Sequence, residues 1–262
     1  MPFKLLVLFF TPLISGLLIY LVPKNRDSNF KLLLAFAGSY LFAITIIHIL
    51  PDLFKTNHDV EFIGLAVLAG FFLQQLLEYF TSGIEHGHMH IHRHGKHTGE
   101  GHQHGHEHVP HTSKAASALV LLFALCVHAF LEGAMLTKPT VAGSTYNVNA
   151  ILLGIALHRA PAAFALMTVL AHQLGSRIRA LPHLIGFSLA APAGLLLSTY
   201  LVNHEVLSAS GLLYLYAVVS GNFLHISTTI VFESSPEHRF NAKRMAVALV
   251  GSLLAVAIEF IL

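Results

Sequence analysis

Residues 117–137 read SALVLLFALCVHAFLEGAMLT, an apolar stretch long enough to cross a bilayer as a single helix. It contains two ionisable side chains, His128 and Glu132, and a second apolar stretch at residues 150–170, AILLGIALHRAPAAFALMTVL, contains His158. An ionisable group at membrane depth costs about 3 kcal/mol or more unless it is paired or hydrated. Each of these three side chains is therefore a candidate functional group.

The composition of the whole chain is that of a membrane protein. Of its 262 residues, 55% are hydrophobic and 11% are charged, whereas about a quarter of a soluble domain is charged. Hydropathy predicts eight membrane-spanning helices, numbered here as spans one to eight. They cover approximately residues 3–22, 30–53, 61–82, 116–137, 148–171, 181–202, 208–231 and 243–262. Because most connections are short, the sequence predicts an all-α membrane protein with one polytopic domain over residues 1–262.

The basic residues predict the orientation of these spans. Eleven of the fifteen Lys and Arg residues lie in alternate connections, those that follow spans one, three, five and seven. The opposite side holds Lys4, Lys55 and Lys138, and Arg159 lies inside span five. Lys and Arg accumulate in cytoplasmic loops, so both termini are predicted to face outward. The expected location is a cell membrane, which in a Gram-negative bacterium would be the inner membrane.

One long connection, between spans three and four, is rich in histidine. Residues 83–112 read GIEHGHMHIHRHGKHTGEGHQHGHEHVPHT, with frequent glycine and no apolar period. The segment 83–115 is therefore predicted to be a disordered cytoplasmic loop. Histidines spaced by two on a flexible chain favour weak metal binding at several sites, and a solvated linker without a metal role is the alternative. The candidate ligands are His86, His88, His90, His92, His94, His97, His102, His104, His106, His108 and His111.

The spacing of the intramembrane residues favours a metal site. His128 and Glu132 are four residues apart, so a helix places them on one face, where both can hold one ion. Imidazole and carboxylate are ligands of divalent transition metals, zinc in particular. Together with His158 of the next span they predict passage of a metal ion through the membrane. The alternative is that these groups only join helices by hydrogen bonds, and small residues such as Gly133 would let spans four and five approach closely.

The motifs HAFLEG at residues 128–133 and HRAPAAF at residues 158–164 resemble the signature of the ZIP (Zrt/Irt-like) metal transporters. In that family span four carries a His-x-x-x-acid-Gly motif and span five a His-x-x-Pro motif. The resemblance covers the entire chain, because the family also has eight spans, outward termini and a histidine-rich loop after span three. It implies a 3+2+3 bundle with spans four and five between two inverted triplets. It also implies that His128, Glu132 and His158 are ligands on the transport path.

The chain departs from the commonest ZIP pattern at three positions. Where many members have a polar residue, an acid and a further ligand, which support a second ion, this chain has Ala129, Arg159 and Ala162. We therefore expect one ion at the site rather than two. The form HRAPAAF resembles a branch of the family with a basic residue after the histidine. Our hypothesis is that the Arg159 guanidinium replaces the second cation and pairs with Glu132 when the site is empty; snorkelling towards a headgroup is the alternative.

Span two offers a second pair of candidate ligands. IIHILPDLF at residues 46–54 places His48 and Asp52 four residues apart, near the outer end of the span. A similar His-x-x-Pro-acid stretch is frequent in ZIP proteins. We therefore predict that both residues bind metal at the outer mouth, and a solvated helix end is the alternative for Asp52.

Other polar residues within the spans are weaker candidates. His225 in span seven and His172 at the inner end of span five could line the path, and packing roles are their alternatives. Glu78 in span three is expected to hydrogen-bond a neighbouring helix. Glu259 is expected to be solvated near the outward carboxyl end.

Two other functions compete with metal import. An exporter of the cation diffusion facilitator kind also uses His-x-x-x-Asp pairs, such as His48 and Asp52, but six spans with a cytosolic tail domain are typical of that class. An intramembrane zinc hydrolase could use the same ligand types. However, HExxH is absent and Arg159 would oppose a hydroxide-generating base.

The expected substrate is Zn²⁺, and the same ligand types also accept Fe²⁺, Mn²⁺ or Cd²⁺. No prosthetic group is predicted, and the chain is not expected to be an enzyme. The sequence has no GxxxxGK[ST] motif, so ATP is not the expected energy source. The expected partners are the metal ion and the lipid bilayer, not nucleic acid, and the sequence is compatible with a homodimer.

Overall fold

The regular structure of the described chain is helical throughout. The computed structural model describes residues 1–21, 27–56, 59–81, 114–137, 147–232 and 242–261, and all regular elements in these ranges are helices. They are α1 (Pro2–Leu17), α2 (Asp27–Ile44), α3 (Leu50–Thr56), α4 (Val60–Thr81), α5 (Lys114–Ala134), α6 (Val148–Gln173), α7 (Arg177–Asn203), α8 (Ala209–Phe232) and α9 (Ala242–Ile261). A 3-10 turn, Leu18–Tyr20, extends α1, and a π-helical turn, Thr45–Ile49, joins α2 to α3 in one rod.

Within the described ranges these helices form eight rods, which lie at the positions of the eight predicted spans. Six of them, α1, α2–α3, α4, α6, α7 and α8, are long and apolar enough to cross a membrane. In α5 the apolar part, Leu119–Ala134, is shorter. The prediction of an all-α membrane protein is confirmed, and the number of eight crossings stays a prediction.

The π turn in the second rod has a local cause in Pro51. Proline has no amide hydrogen and cannot donate to the carbonyl four residues earlier, so the regular helical ladder is interrupted beside it. The Leu50 amide donates instead to the carbonyl of Thr45, five residues back. His48 lies within this turn and is only 4% exposed. Because the extra residue rotates the helix face, the turn sets the direction of this buried imidazole.

The helices pack in two groups. The α5–α6 group comprises α1, α5, α6 and α7, in which α5 packs on α7 and α1 packs on both α6 and α7. The α2–α8 group comprises α2, α3, α4, α8 and α9, in which α4 packs on α8 and α2 packs on α8 and α9. Contacts of α2 with α6 and of α4 with α5 join the two groups. The motifs HAFLEG of α5 and HRAPAAF of α6 therefore lie in the same group.

Two helices of the α5–α6 group meet at a pair of glycines. A Cβ atom at Gly133 of α5 would overlap the carbonyl of Ala191 on α7, and one at Gly194 of α7 would overlap the carbonyl of Phe130 on α5. Such small residues allow two backbones to touch. The expected close approach of spans four and five at Gly133 was wrong, because the partner of Gly133 is α7. Polar side chains rather than glycines lie between α5 and α6.

The α2–α8 group has the same kind of crossing. Gly70 of α4 and Gly221 of α8 each meet the backbone of the other helix, and Gly251 of α9 meets the backbone of α2. Gly154 of α6, by contrast, faces side chains of α2. Backbone contact at these glycines therefore occurs inside each group, whereas the contact at Gly154 between the groups is made by side chains.

Polar contacts show which helix ends lie together. Lys4, at the start of α1, donates to the carbonyl of Leu136 after α5 at 3.0 Å. A lysine at this position also stabilises the negative end of the α5 dipole. Arg177, at the start of α7, lies 5.6 Å from the ring centroid of Tyr20 at the end of α1. The start of α1 and the end of α5 therefore share one face of the bundle, called here the α5-end face, and the start of α7 lies at the opposite face.

We predict that Gly194→Ala destabilises the protein and that Gly186→Ala does not. The added methyl at residue 194 overlaps the backbone of α5, and overpacking of this kind costs about 1–3 kcal/mol. Gly186 lies on the same helix with nothing within 4 Å of its Cβ position, so its change should leave stability unchanged or raise it by up to about 1 kcal/mol. Thermal unfolding of the purified variants in detergent measures both, and equal Tm values would contradict the described crossing.

Candidate metal site

Three ionisable side chains converge between α5 and α6. His128 and Glu132 come from α5 and His158 from α6, and their exposed fractions are 3%, 0% and 1%. One ligand atom from each lies within 4.8 Å of the others. Among the described residues this is the one group of three or more potential ligands placed so closely. The structure therefore brings together the three residues that the sequence singled out first.

The geometry within this triad follows from helix periodicity. His128 and Glu132 are one turn apart on α5, and Nε2 of the histidine lies 3.2 Å from Oε1 of the glutamate. The ring of His158 meets the ring of His128 edge to face, with centroids 5.9 Å apart. Ligands around a tetrahedral zinc ion are about 3.4 Å from one another, since each bond is about 2.1 Å long. The three side chains thus need only a small inward movement to share one ion.

The carboxylate of Glu132 has the surroundings of a cation ligand. In the part of the chain that the structure describes, both of its oxygens are buried and neither accepts a hydrogen bond. Its ionic neighbours are His128 at 3.2 Å and the Nη1 atom of Arg159 at 3.8 Å. A buried carboxylate is costly unless positive charge or hydrogen-bond donors surround it. The arrangement can therefore accept a metal ion, which would supply both charge and coordination.

Arg159 is one of the largest fully buried side chains, with 1% of its surface exposed. Its Nη2 atom donates to the carbonyl of Phe187 on α7 at 3.1 Å, and its Nη1 atom donates to the carbonyl of Ala129 at 3.5 Å. The guanidinium carbon also lies 4.8 Å from the centroid of the Phe187 ring. The expected pairing with Glu132 is present, at 3.8 Å, and the snorkelling alternative does not fit this burial.

The second predicted pair lies apart from the triad. His48 is buried, its Nδ1 atom lies 2.6 Å from Oε1 of Glu259 on α9, and its Nε2 atom accepts a hydrogen bond from the amide of Asn147 at 2.7 Å. Asp52 is 7% exposed on α3, so it is not a solvated helix end. The expectation of a solvated Glu259 was wrong, because this side chain is 24% exposed and pairs with His48. Metal binding by His48 and Asp52 stays a prediction, and for His48 it requires one of these two hydrogen bonds to break first.

The weaker candidates have separate surroundings. His225 is 6% exposed on α8, and its Nε2 atom lies 2.6 Å from Oε2 of Glu78 on α4, which confirms the predicted contact of Glu78 with a neighbouring helix. His172 is exposed in the last turn of α6. Roles of His225 and His172 on a metal path stay predictions. The eleven loop histidines between residues 86 and 111 lie outside the described residues.

Comparison with known proteins gives one family. The profile of the ZIP zinc transporter family matches residues 3–259 of the chain. Zinc transporter ZIP9 of Xenopus tropicalis and ZIP9-A of Xenopus laevis are each 31% identical to it over 178 residues, which cover 65% of this chain and 52% of each relative. ZIP9 of Macaca fascicularis is 37% identical over 114 residues, which cover 41% of this chain and 47% of that protein. The chain thus spans about half the length of the curated relatives that it matches.

We predict that Arg159→Lys lowers the stability of the protein by about 1–3 kcal/mol. Lysine lacks the planar fork with which the separate Nη1 and Nη2 atoms reach the Ala129 and Phe187 carbonyls while the guanidinium lies over the Phe187 ring. Arg179→Lys, at an exposed position on α7, is the matched control and should change stability by no more than about 0.5 kcal/mol. Thermal unfolding in detergent compares the two, and an unchanged Tm for Arg159→Lys would show that the buried contacts contribute little.

Proposed function

Because the chain belongs to the ZIP zinc transporter family, we propose that it carries zinc across a membrane into the cytoplasm. The observation that carries this proposal is the convergence of His128, Glu132 and His158, whose ligand atoms lie buried within 4.8 Å of one another between two apolar helices. Two imidazoles and one carboxylate form a donor set typical of zinc. Relatives of the chain are named zinc transporters, which is a non-enzymatic function.

Ligand exchange moves the ion in this proposal. The ion loses water at the outer mouth, where Asp52 is the proposed ligand, binds the triad, and leaves towards the cytoplasm past His225 or His172. Three protein ligands leave at least one coordination position open, so water or the next ligand can enter before the previous ligand leaves. The given sequence has no GxxxxGK[ST] motif, so in this proposal ATP does not drive the ion directly. The ion moves down the metal gradient or by coupling to a second gradient.

Alternating access requires one part of the bundle to move against another. The α5–α6 group holds the triad and Arg159, and the α2–α8 group packs around it through α2 and α4. We propose that the two groups move as units, so the triad opens first to one side and then to the other.

The proposed topology has eight crossings, both termini outside and a 3+2+3 inverted repeat. The packing supports it. An inverted repeat of this kind makes span one equivalent to span six, two to seven, three to eight, and four to five. Under this equivalence the contact of α4 (span three) with α8 (span seven) corresponds to the contact of α9 (span eight) with α2 (span two). The same equivalence turns the contact of α5 with α7 into that of α6 with α1. In this topology the α5-end face is the outer face, and the histidine-rich loop at residues 83–112 lies in the cytoplasm.

A single transported ion is the further proposal at this site. Arg159 brings a permanent positive charge within 3.8 Å of Glu132, at the position where the commonest ZIP pattern has an acid. A second metal ion there would meet a guanidinium instead of a carboxylate, and the neighbouring positions are Ala129 and Ala162. The arginine thus supplies charge where two-ion sites hold their second cation.

The competing functions have less support. Membership of the ZIP family separates the chain from the cation diffusion facilitators, and the names of its relatives do not suggest a hydrolase. Within the family the ligand types favour zinc and also admit iron, manganese or cadmium. A cell membrane is the proposed location.

We predict that the purified chain takes up radioactive zinc into proteoliposomes and that His158→Ala lowers the initial rate about tenfold or more, because a metal ligand is lost. His204→Ala, at an exposed turn after α7, is the control and should keep the wild-type rate. Equal rates for His158→Ala and wild type would remove this histidine from the path. Failure of the folded wild-type protein to take up zinc would overturn the proposed function.

We also predict one zinc ion per chain in calorimetric titration of protein that lacks residues 83–112. The described residues contain one such triad, and Arg159 opposes a second cation there. Glu132→Gln should abolish this binding. Glu61→Gln, at an exposed position at the start of α4, should retain it. Two ions per chain at the transport site would refute the single-ion proposal.

A further inference from the structure

Among the described residues, hydrogen bonds of Tyr40, His48 and Tyr216 join the two helix groups at the α5-end face. In each, a side chain of the α2–α8 group bonds to the backbone at the end of α5 or the start of α6. The bonds connect Tyr216 with the carbonyl of Thr137, Tyr40 with the carbonyl of Ala150 at 3.1 Å, and His48 with the amide of Asn147 at 2.7 Å. The helices that carry the candidate metal site are thus tied at this face to the group that surrounds them.

The histidine in this set is held in one orientation. Its Nε2 atom accepts from the Asn147 amide, so its Nδ1 atom carries the hydrogen and donates to Glu259 at 2.6 Å. A carboxylate in this position fixes the tautomer of the imidazole. Asn147 is in turn the N-cap of α6, and its side chain accepts from the Ala150 amide at 3.1 Å. Both ring nitrogens of His48 are therefore used to connect α9 to the first turn of α6.

The end of α5 is equally well anchored within its own group. The hydroxyl of Thr137 contacts Ser198 and also Thr199, at 3.1 Å from the latter, and both of these residues are on α7. Ser198 also donates to the carbonyl of Ala134 at 2.9 Å. The carbonyl that Tyr216 reaches is thus part of the α5–α7 unit, so this bond holds two packed helices rather than a single residue.

Burial makes these bonds specific. Tyr40 and Tyr216 are 0% exposed, and their hydroxyls lie among apolar side chains of the main core cluster. A buried hydroxyl that loses its acceptor must regain a partner, and water can reach it only if the two groups separate. The bonds therefore persist while this face is closed and are exchanged for water when it opens.

We propose that Tyr40, His48 and Tyr216 form an outer latch, which closes the α5-end face by holding the ends of α5 and α6 against the α2–α8 group. This inference rests on the proposed function, in which the two groups move relative to each other and this face is the outer one. The three side chains are positioning residues, because they act through the backbone of the helices that carry the ligands. Metal bound at the triad exchanges with the outside only when the latch is broken.

Accessibility of a buried cysteine tests the latch directly. Ile151 of α6 is 1% exposed and lies in the same apolar cluster as Tyr40 and Tyr216, so Ile151→Cys in a Cys126→Ser background reports opening of this face. A membrane-impermeant maleimide is applied from outside to right-side-out vesicles, without added zinc. We expect Tyr40→Phe and Tyr216→Phe each to raise the labelling rate about threefold and the double variant to raise it about tenfold. Loss of one interhelical hydrogen bond in a membrane shifts the equilibrium between the closed and the open face by about threefold.

Tyr214→Phe is the matched control, since Tyr214 lies two residues before Tyr216 on α8 and has no hydrogen bond among the described residues. Its labelling rate should equal that of the parent. In inside-out vesicles the latch variants should not label faster, whereas general loosening of the fold would raise labelling from both sides. The proposed latch would be wrong if the double variant were labelled from outside at the same rate as the parent. It would also be wrong if the labelling rate rose equally from both sides. If the double variant does not fold, the two single variants decide by the same criteria.

The outcome is separable from that of the proposed function, because the labelling needs no transported metal. If the latch variants are labelled at the parent's rate and the parent takes up zinc, the latch alone is overturned. Latch-dependent labelling in a chain that takes up no zinc supports the latch and overturns the proposed function alone.

Discussion

A carboxylate that is completely buried in a helix bundle needs positive charge or hydrogen-bond donors around it, and the centre of this protein is built around that constraint. Glu132 has no exposed surface, and His128, His158 and Arg159 supply its surroundings. Arg159 is a buried positive charge and needs hydrogen-bond acceptors for the same reason. The carbonyls of Phe187 and Ala129 supply them. The buried carboxylate on α5 is compensated by the guanidinium on α6, which is in turn compensated by a carbonyl on α7. The buried charges therefore connect these three helices.

The same reasoning extends to the two ends of the bundle. His48 pairs with Glu259 and His225 pairs with Glu78, each at 2.6 Å. The first pair joins spans two and eight, and the second joins spans seven and three. The equivalence of spans that relates the packing contacts also relates these two pairs. Imidazole–carboxylate bonds at equivalent places indicate that each half of the α2–α8 group is fastened by the same chemistry.

The triad could be predicted from the sequence because its main signal is local. His128 and Glu132 lie one helical turn apart, and an ionisable residue in an apolar stretch is conspicuous. The partner of His48 could not be found in this way, since Glu259 is 211 residues away and ordinary solvation explained a carboxylate near a helix end. Gly133 was assigned to the wrong neighbour because a small residue indicates close approach but does not identify the helix that approaches. Pairings between distant helices depend on the packing of the whole bundle.

The paired glycines also determine how the bundle can deform. Where two backbones touch, as at Gly133 and Gly194 or at Gly70 and Gly221, their atoms interlock and a shift along the helix axis meets immediate steric resistance. Where side chains meet instead, as at Gly154, rotamers can adjust and packing can re-form after a shift of about one helical turn, roughly 5 Å. A shift of one group along the other at Gly154 should therefore meet less steric resistance than a shift at the backbone crossings inside each group. A substitution that adds bulk at a backbone crossing should stiffen or break one group without changing the side-chain contact at Gly154.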